Sequence, residues 1–210
     1  MLQLRKFRKK YGNRLIVQTD DLVIPRGVTT VRGVNGSGKS TLFRCVAGII
    51  PYEGSIELFG IDQRSSPVKY RRRVSFSEAK PLFPGFLSGR DISSFYSVAR
   101  SIKETEVADL SHALGVDEFL NDKIETYSEG MNKKLSLMLA FIGSPDLIVL
   151  DEPFAFLDED SRGILISLIK KISESEQRNF LISNHISEYM HELTDCHQLR
   201  LENHSLVPEK

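Results

Sequence analysis

The sequence predicts an α/β fold with a smaller antiparallel β part near the N-terminus and a helical insert from about 85 to 134. Three observations lead to this prediction. A glycine-rich loop at 33–41 follows a β-branched run, an unbroken apolar run at 147–150 ends in two carboxylates, and helical spacing marks the residues from about 88 to 142. An unbroken apolar run is typical of a parallel strand buried on both faces. The 210 residues suit one domain, 1–210, of which the helical insert is a subdomain.

The loop at 33–41 reads Gly-Val-Asn-Gly-Ser-Gly-Lys-Ser-Thr, which fits the phosphate-binding loop pattern. Glycines let successive backbone N–H groups approach phosphate oxygens, and the helix predicted from Lys39 to Ala47 points its positive dipole end at the same anion. Lys39 supplies a full charge to the β- and γ-phosphates, and the Ser40 hydroxyl can ligate Mg²⁺. The core is therefore predicted to be of the P-loop NTPase type. Its candidate nucleotide-binding residues are Asn35, Gly36, Ser37, Gly38, Lys39, Ser40 and Thr41.

The remaining elements follow from local patterns taken in chain order. Residues 1–26 are interpreted as short strands around a turn at Tyr11-Gly12-Asn13, and 28–31 is the strand that enters the phosphate loop. The later elements are predicted as strands at 55–59, 74–77, 147–150 and 180–183, a helix at about 160–173, and a hairpin around 197–207.

Composition excludes several classes of protein. Lys plus Arg and Asp plus Glu both number 28, so no net charge points to nucleic acid or to a membrane surface. Basic residues at 5–10 and 69–73 are interpreted as solvated strand edges and helix faces. The N-terminus lacks the apolar core of a signal peptide, and no run approaches the ~20 apolar residues of a membrane-spanning helix. Cys45 and Cys196 fit no metal or redox spacing, which favours buried reduced thiols and a cytoplasmic location.

Asp151 and Glu152 follow the apolar run at 147–150. At the carboxyl end of a buried strand they would lie at the mouth of the sheet, where ligands bind in open α/β folds. One carboxylate can organise the shell of a Mg²⁺ ion while the next faces an attacking water. An acidic loop after a core strand is the alternative, and it is common when no phosphate loop is present.

The segment Tyr127-Ser128-Glu129-Gly130-Met131 completes a constellation that resembles the nucleotide-binding subunits of the ATP-binding cassette (ABC) family. It is similar to the family's signature motif, and the resemblance covers nearly the whole chain. The resemblance implies that Ser128 and Gly130 press a helix N-terminus onto the γ-phosphate of ATP held by a second subunit. Alone, a Ser-x-Gly sequence before a helix is also an ordinary cap.

The same resemblance assigns roles to further residues. Tyr11 falls at the position of an aromatic that stacks on adenine, although a turn tyrosine packed on the core is the alternative. Asp158, in Phe156-Leu157-Asp158, resembles the acid of a loop at the dimer interface, with a helix cap as the alternative. His185 fits the switch histidine that senses the γ-phosphate, and a histidine that caps a surface helix is the alternative. Catalysis would then depend on Glu152 and His185.

Two positions depart from the family pattern. Glu78 stands where the family usually has Gln, and Lys133 stands where Gln is frequent after the signature. A carboxylate can still ligate Mg²⁺, so the expected metal ligands are Ser40, Asp151 and Glu78. An ionised carboxylate cannot donate a hydrogen bond, which bears on how water is positioned.

The function implied by the resemblance is ATP binding and hydrolysis that powers transport through separate transmembrane permease subunits. Two cassettes, identical or different, would close head-to-tail around two ATP molecules and Mg²⁺. The protein would be cytoplasmic and peripheral at the inner face of the cell membrane, with no nucleic-acid partner. The Tyr-Ser-x-Gly-Met form favours export. The alternative is a soluble ABC-type ATPase that acts on a protein or nucleic-acid complex; a nucleotide kinase is disfavoured because no acceptor site or lid is found.

Overall fold

A computed structural model describes residues 1–175, 177–183, 193 and 196–209. Within them, ten strands form one sheet in the order β5-β4-β1-β2-β10-β9-β3-β8-β7-β6. The strands are β1 (Leu2–Tyr11), β2 (Arg14–Ile24), β3 (Val28–Arg32), β4 (Glu53–Leu58), β5 (Ile61–Asp62), β6 (Val74–Ser77), β7 (Leu147–Asp151), β8 (Asn179–Ser183), β9 (His197–Glu202) and β10 (Ser205–Pro208). The helices are α1 (Lys39–Val46), α2 (Pro67–Arg73), α3 (Gly89–Arg100), α4 (Glu104–Ala113), α5 (Glu129–Phe141) and α6 (Glu159–Ser175), with a short 3₁₀ helix at Ile124–Thr126.

The sheet has a parallel half and an antiparallel half, as predicted. Strands β3, β8, β7 and β6 pair in parallel, and β9 pairs in parallel with β3. In the other half, β1 pairs antiparallel with β2 and β4, and β10 pairs antiparallel with β9. The halves meet where Ser205 of β10 pairs with Gln18 of β2. The expectation of short N-terminal strands was wrong, because β1 has 10 residues and β2 has 11.

Alternation along the central strands divides the core into two layers. Ile148 and Leu150 of β7 pack with α5 and α6 on one face, while Val149 packs with β1 and α1 on the other. Successive side chains of a strand point to opposite faces, so an apolar run with no polar position is what a sheet covered on both sides requires. Cys45 is fully buried in the second layer, and Cys196 is half-buried against the first.

The helical prediction for about 88–142 is confirmed by α3, α4 and α5. Helix α3 begins with a capping box in which Ser88 and Asp91 exchange hydrogen bonds. Helix α2 was not predicted, because its basic sequence has no apolar period and its start is marked only by Pro67 in the first turn. No helix in the described residues is both long and apolar enough to cross a membrane.

Candidate nucleotide-binding site

The phosphate loop lines a pocket of about 530 Å³ at the carboxyl end of β3. Gly38 shows why the loop needs glycine: its φ is +112°, and an added Cβ would lie 2.9 Å from Cγ2 of Ile16. Ser37 lies instead in the neighbouring pocket, and its buried hydroxyl has no hydrogen-bond partner among the described residues. The residues of the loop pocket are Arg14, Ile16, Asn35, Gly36, Gly38, Lys39, Ser40, Thr41 and Glu152.

Lys39 is buried at the start of α1 with its ammonium inside the loop. Its Nζ donates to the carbonyl oxygens of Gly33 at 2.7 Å and Val34 at 3.0 Å. Burial lowers the pKa of Lys39, and the nearby charges of Glu152 and Asp151 oppose that shift. An ammonium has three donors, so these two bonds aim the group and leave one N–H for a phosphate oxygen.

A single serine organises the two carboxylate residues after β7. Ser183, at the end of β8, donates to Oδ1 of Asp151 at 2.5 Å and accepts from the backbone N–H of Glu152 at 2.9 Å. Glu152 has a φ of +46°, a left-handed conformation that is uncommon for a residue other than glycine. The role of Ser183 was missed by the sequence analysis, since only the register of β7 and β8 brings these residues together.

The oxygen atoms at the pocket are suitable ligands for Mg²⁺ that is bound together with a nucleotide. Ser40 and Glu152 line the pocket, and Asp151 is the buried neighbour of Glu152. No group of three or more His, Cys, Asp or Glu residues among the described residues could hold a metal by itself. A hydroxyl with one or two carboxylates is the usual protein contribution to a Mg²⁺ ion whose other ligands are water and phosphate.

Glu78 lies outside the loop pocket and forms an ion pair with Arg44. Its Oε1 lies 3.2 Å from Nε of Arg44, and its Oε2 lies 3.5 Å from Nη2 of the same residue. Glu78 lines a groove beside the helical insert and is not among the residues of the loop pocket. The structure thus does not bring Glu78 to Ser40, and its role as a metal ligand stays a prediction.

Lys133 is the other departure from the family pattern, and it is completely buried in α5. Its Nζ donates to the carbonyl oxygens of Glu78 at 2.7 Å and Asp151 at 2.8 Å. Burial lowers the pKa of Lys133 to about 8, against the opposing influence of the Asp151, Glu152 and Glu78 charges. No local sequence pattern indicates these two contacts of Lys133.

The signature segment forms the exposed N-terminus of α5. The Ser128 hydroxyl accepts from the backbone N–H of Met131 at 3.2 Å, so the residue caps the helix as the alternative reading expected. Gly130 is needed because a Cβ there would lie 2.8 Å from the carbonyl oxygen of Phe156. Asp158 lies 3.7 Å from Lys134 of α5 and also caps α6 by accepting from the N–H of Ser161 at 2.7 Å. That backbone hydrogen bond is the main cause that lowers the pKa of Asp158.

Tyr11 is not among the residues that line the loop pocket. The Tyr11 side chain is half-exposed beneath Nζ of Lys9, which lies 4.6 Å from the ring centroid. Arg14 and Ile16, which the sequence analysis did not single out, line the pocket from β2. The adenine contact of Tyr11 therefore stays a prediction, and His185 lies outside the described residues.

Known proteins are similar to this chain in sequence and in fold. The chain is 30% identical to the ABC transporter ATP-binding protein NatA of Bacillus subtilis (strain 168), over 91% of this chain and 80% of that protein. It is 35% identical to the aliphatic sulfonates import ATP-binding protein SsuB 2 of Burkholderia lata, over 88% of this chain and 67% of that protein. A solved ATP-binding subunit of an ABC transporter superimposes with a TM-score of 0.88 at 23% identity, covering 98% of this chain and 88% of that one, and supports the fold.

The sequence model of the ABC transporter family matches residues 19–155, which include the phosphate loop, the signature segment and the Asp151-Glu152 pair. Together with these relatives, that match shows that the chain belongs to the ABC transporter family as one of its ATP-binding, ATP-hydrolysing subunits.

Proposed function

We propose that the chain hydrolyses Mg²⁺-bound ATP in the loop pocket to power transport through separate membrane subunits. The observation that carries the proposal is that Lys39 and Glu152 line one pocket. A cation for the β- and γ-phosphates thus faces a carboxylate that can receive a proton from water. These are the parts that phosphoryl transfer to water requires, because positioning and charge stabilisation supply most of its catalysis.

Each part of the site has a defined task. The loop amides and the start of α1 bind phosphate oxygens, and Lys39 adds a full charge. Ser40 and Asp151 would hold Mg²⁺, which neutralises negative charge on the β- and γ-phosphates when it is bound with ATP. Glu152 orients the attacking water and accepts its proton, while Ser183 fixes the Glu152 backbone through the 2.9 Å hydrogen bond.

A second cassette, identical or different, completes each site in this proposal. Ser128 and Glu129 are exposed at the N-terminus of α5, where backbone N–H groups and the helix dipole attract an anion. That surface supports contact with the γ-phosphate held by the partner. A head-to-tail pair would also close the pocket to bulk water and strengthen the electrostatic interactions inside it.

A groove of about 270 Å³ beside Glu78 supports a membrane partner. Its lining includes apolar side chains that are exposed to water: Leu82 is 92% exposed and Ile49 is 55% exposed. Exposed apolar clusters of this kind mark interaction surfaces. We expect a permease subunit to dock there and to place the protein at the inner face of the membrane.

The alternative, a soluble ATPase that acts on a protein or nucleic-acid complex, is not favoured by relatives whose names are those of transport proteins. An import protein is among them, so these relatives do not favour the expected direction of export.

Glu152→Gln tests the hydrolytic role. The amide cannot accept a proton, so turnover should fall by ~10²-fold or more while ATP affinity, measured by calorimetry, stays within a few fold. Glu159→Gln, an exposed carboxylate at the start of α6, is the matched control and should keep wild-type turnover. Wild-type hydrolysis by Glu152→Gln would show that another group activates the water. Recovery of the chain with a permease from detergent-solubilised membranes tests the partner.

A further inference from the structure

One face of α5 meets β6 through hydrogen bonds as well as through apolar contacts. Lys133 donates to the carbonyl of Glu78 at 2.7 Å, the hydroxyls of Ser136 and Ser77 lie 2.9 Å apart, and Ser75 donates to the carbonyl of Ala140 at 2.5 Å. Positions 133, 136 and 140 share one face of a helix, and 75 and 77 share one face of a strand. These polar pairs fix the position of the helix along the strand, because a buried polar group that loses its partner is costly.

Lys133 also connects α5 to a second strand, β7. Strands β6 and β7 are neighbours, with Ser77 beside Leu150, and the Lys133 ammonium also donates to the carbonyl of Asp151 at 2.8 Å. The side chain is fully buried, so it cannot extend its charged end into solvent. It therefore joins the carboxyl ends of two strands to one helix.

The hydrogen bonds of Lys133 lie between two functional regions. On one side, the Asp151 carbonyl directly precedes Glu152, whose N–H is held by Ser183 at 2.9 Å. On the other side, Lys133 follows the helix cap Ser128 by five residues, less than two helical turns. A displacement of Lys133 would therefore be transmitted both to the Glu152 turn and to the signature surface.

We propose that Lys133 is a positioning residue for ATP hydrolysis: by binding the Glu78 and Asp151 carbonyls, it makes the catalytic turn at Glu152 and the signature end of α5 move as one unit. The inference rests on the proposed function of the loop pocket and the second cassette. It adds a coupling between the chain's own ATP site and the surface that it offers to the partner's ATP. Lys133 acts through Glu152 and Ser128 and does not itself touch ATP.

The test compares two replacements of Lys133. Lys133→Gln keeps an N–H₂ group but is one bond shorter, whereas Lys133→Met has no donor. Turnover should fall in the order wild type, Lys133→Gln, Lys133→Met, by about threefold to tenfold and then by more than tenfold, because small misplacements of a catalytic group lower the rate steeply. The KM for ATP should stay within about twofold, since the phosphate loop is untouched. Lys171→Met, an exposed lysine on α6, should behave as wild type.

Three outcomes would overturn the inference. Wild-type turnover in either Lys133 variant would do so, and Lys133→Gln decides the matter if Lys133→Met does not fold. Equal turnover losses in two folded variants would also contradict a role for the donor. A parallel fall of turnover, ATP affinity and melting temperature would reduce Lys133 to a packing residue. If Glu152→Gln abolishes turnover and the Lys133 variants do not change it, the proposed function stands and only this inference fails.

Discussion

Replacing Arg44 with methionine should let ATP hydrolysis saturate at a lower Mg²⁺ concentration. If Glu78 ligates the metal, its carboxylate must leave Arg44, from which it lies 3.2 Å away. The ion pair then competes with metal binding, and Arg44→Met removes the competitor. The methionine keeps most of the apolar stem of the arginine, so the change is confined mainly to charge and hydrogen bonding.

The exposure of the pair limits the size of the effect. The side chains of Arg44 and Glu78 are 46% and 30% exposed. Ion pairs of this kind contribute roughly 0.2–1 kcal/mol to stability, which corresponds to a factor of about 1.5 to 5 in an equilibrium constant. Half-saturation of ATPase activity by Mg²⁺ should therefore fall by no more than about fivefold in Arg44→Met. Glu78→Gln should shift it in the opposite direction, because an amide is the weaker ligand for a hard cation.

The assay is a titration of Mg²⁺ against ATPase rate at fixed ATP for wild type, Arg44→Met, Glu78→Gln and the double variant. Arg72→Met, an exposed arginine of α2, controls for the loss of one positive charge. Denaturant unfolding gives the contribution of the ion pair independently through a double-mutant cycle. A Mg²⁺ dependence that is superimposable for all five proteins would refute a metal role for Glu78. A shift in Glu78→Gln alone would refute competition by Arg44.

Three further predictions concern other parts of the chain. Lys39→Ala should weaken ATP binding at least ~10-fold by calorimetry while the melting temperature changes little, because it removes a charged donor to phosphate; equal affinity would remove its assigned role. Gly54→Ala should destabilise the fold by about 2 kcal/mol or more in urea unfolding, because φ is +90° and a Cβ would collide with the Lys6 carbonyl. Gly60→Ala, with φ +78° and open space around the Cβ position, should cost clearly less. The pKa of Lys133 is about 8 in the folded chain against 10.5 for the ordinary group, so the unfolded chain binds more protons between these values and stability should rise with pH across that window, by up to about 3 kcal/mol. Lys133→Met should lack this rise, and identical pH profiles for the two proteins would contradict the shifted pKa.

Local patterns predicted the parts of the site that are close in sequence. The phosphate loop at 33–41 follows β3 and continues into the first residues of α1, and Asp151-Glu152 lies at the end of one strand, so neighbouring residues specify both. The apolar run at 147–150 likewise predicted a strand covered on both faces.

Contacts between distant residues could not be predicted in the same way. Arg14 and Ile16 reach the pocket because β10 joins β2 to the rest of the sheet, and no local signal contains that strand order. Arg32 illustrates the point: a charged residue at the end of a core strand has no local explanation, and the structure places it 3.9 Å from the carboxylate of Glu209. The contacts of Lys133 could not be predicted because its two carbonyl partners are 55 and 18 residues away.

The backbone of Glu152 places stability and function in conflict at one position. A non-glycine residue with a φ of +46° costs on the order of 1–2 kcal/mol, and Ser183 helps to hold the turn in place. Glycine would adopt this conformation without the strain, but it has no carboxylate to receive a proton. Selection for stability alone would therefore replace the residue that we propose as the acceptor of the water's proton. A substitution that relieves the strain at Glu152 would therefore remove the carboxylate that the proposed mechanism needs, and stability engineering of this chain should leave this residue unchanged.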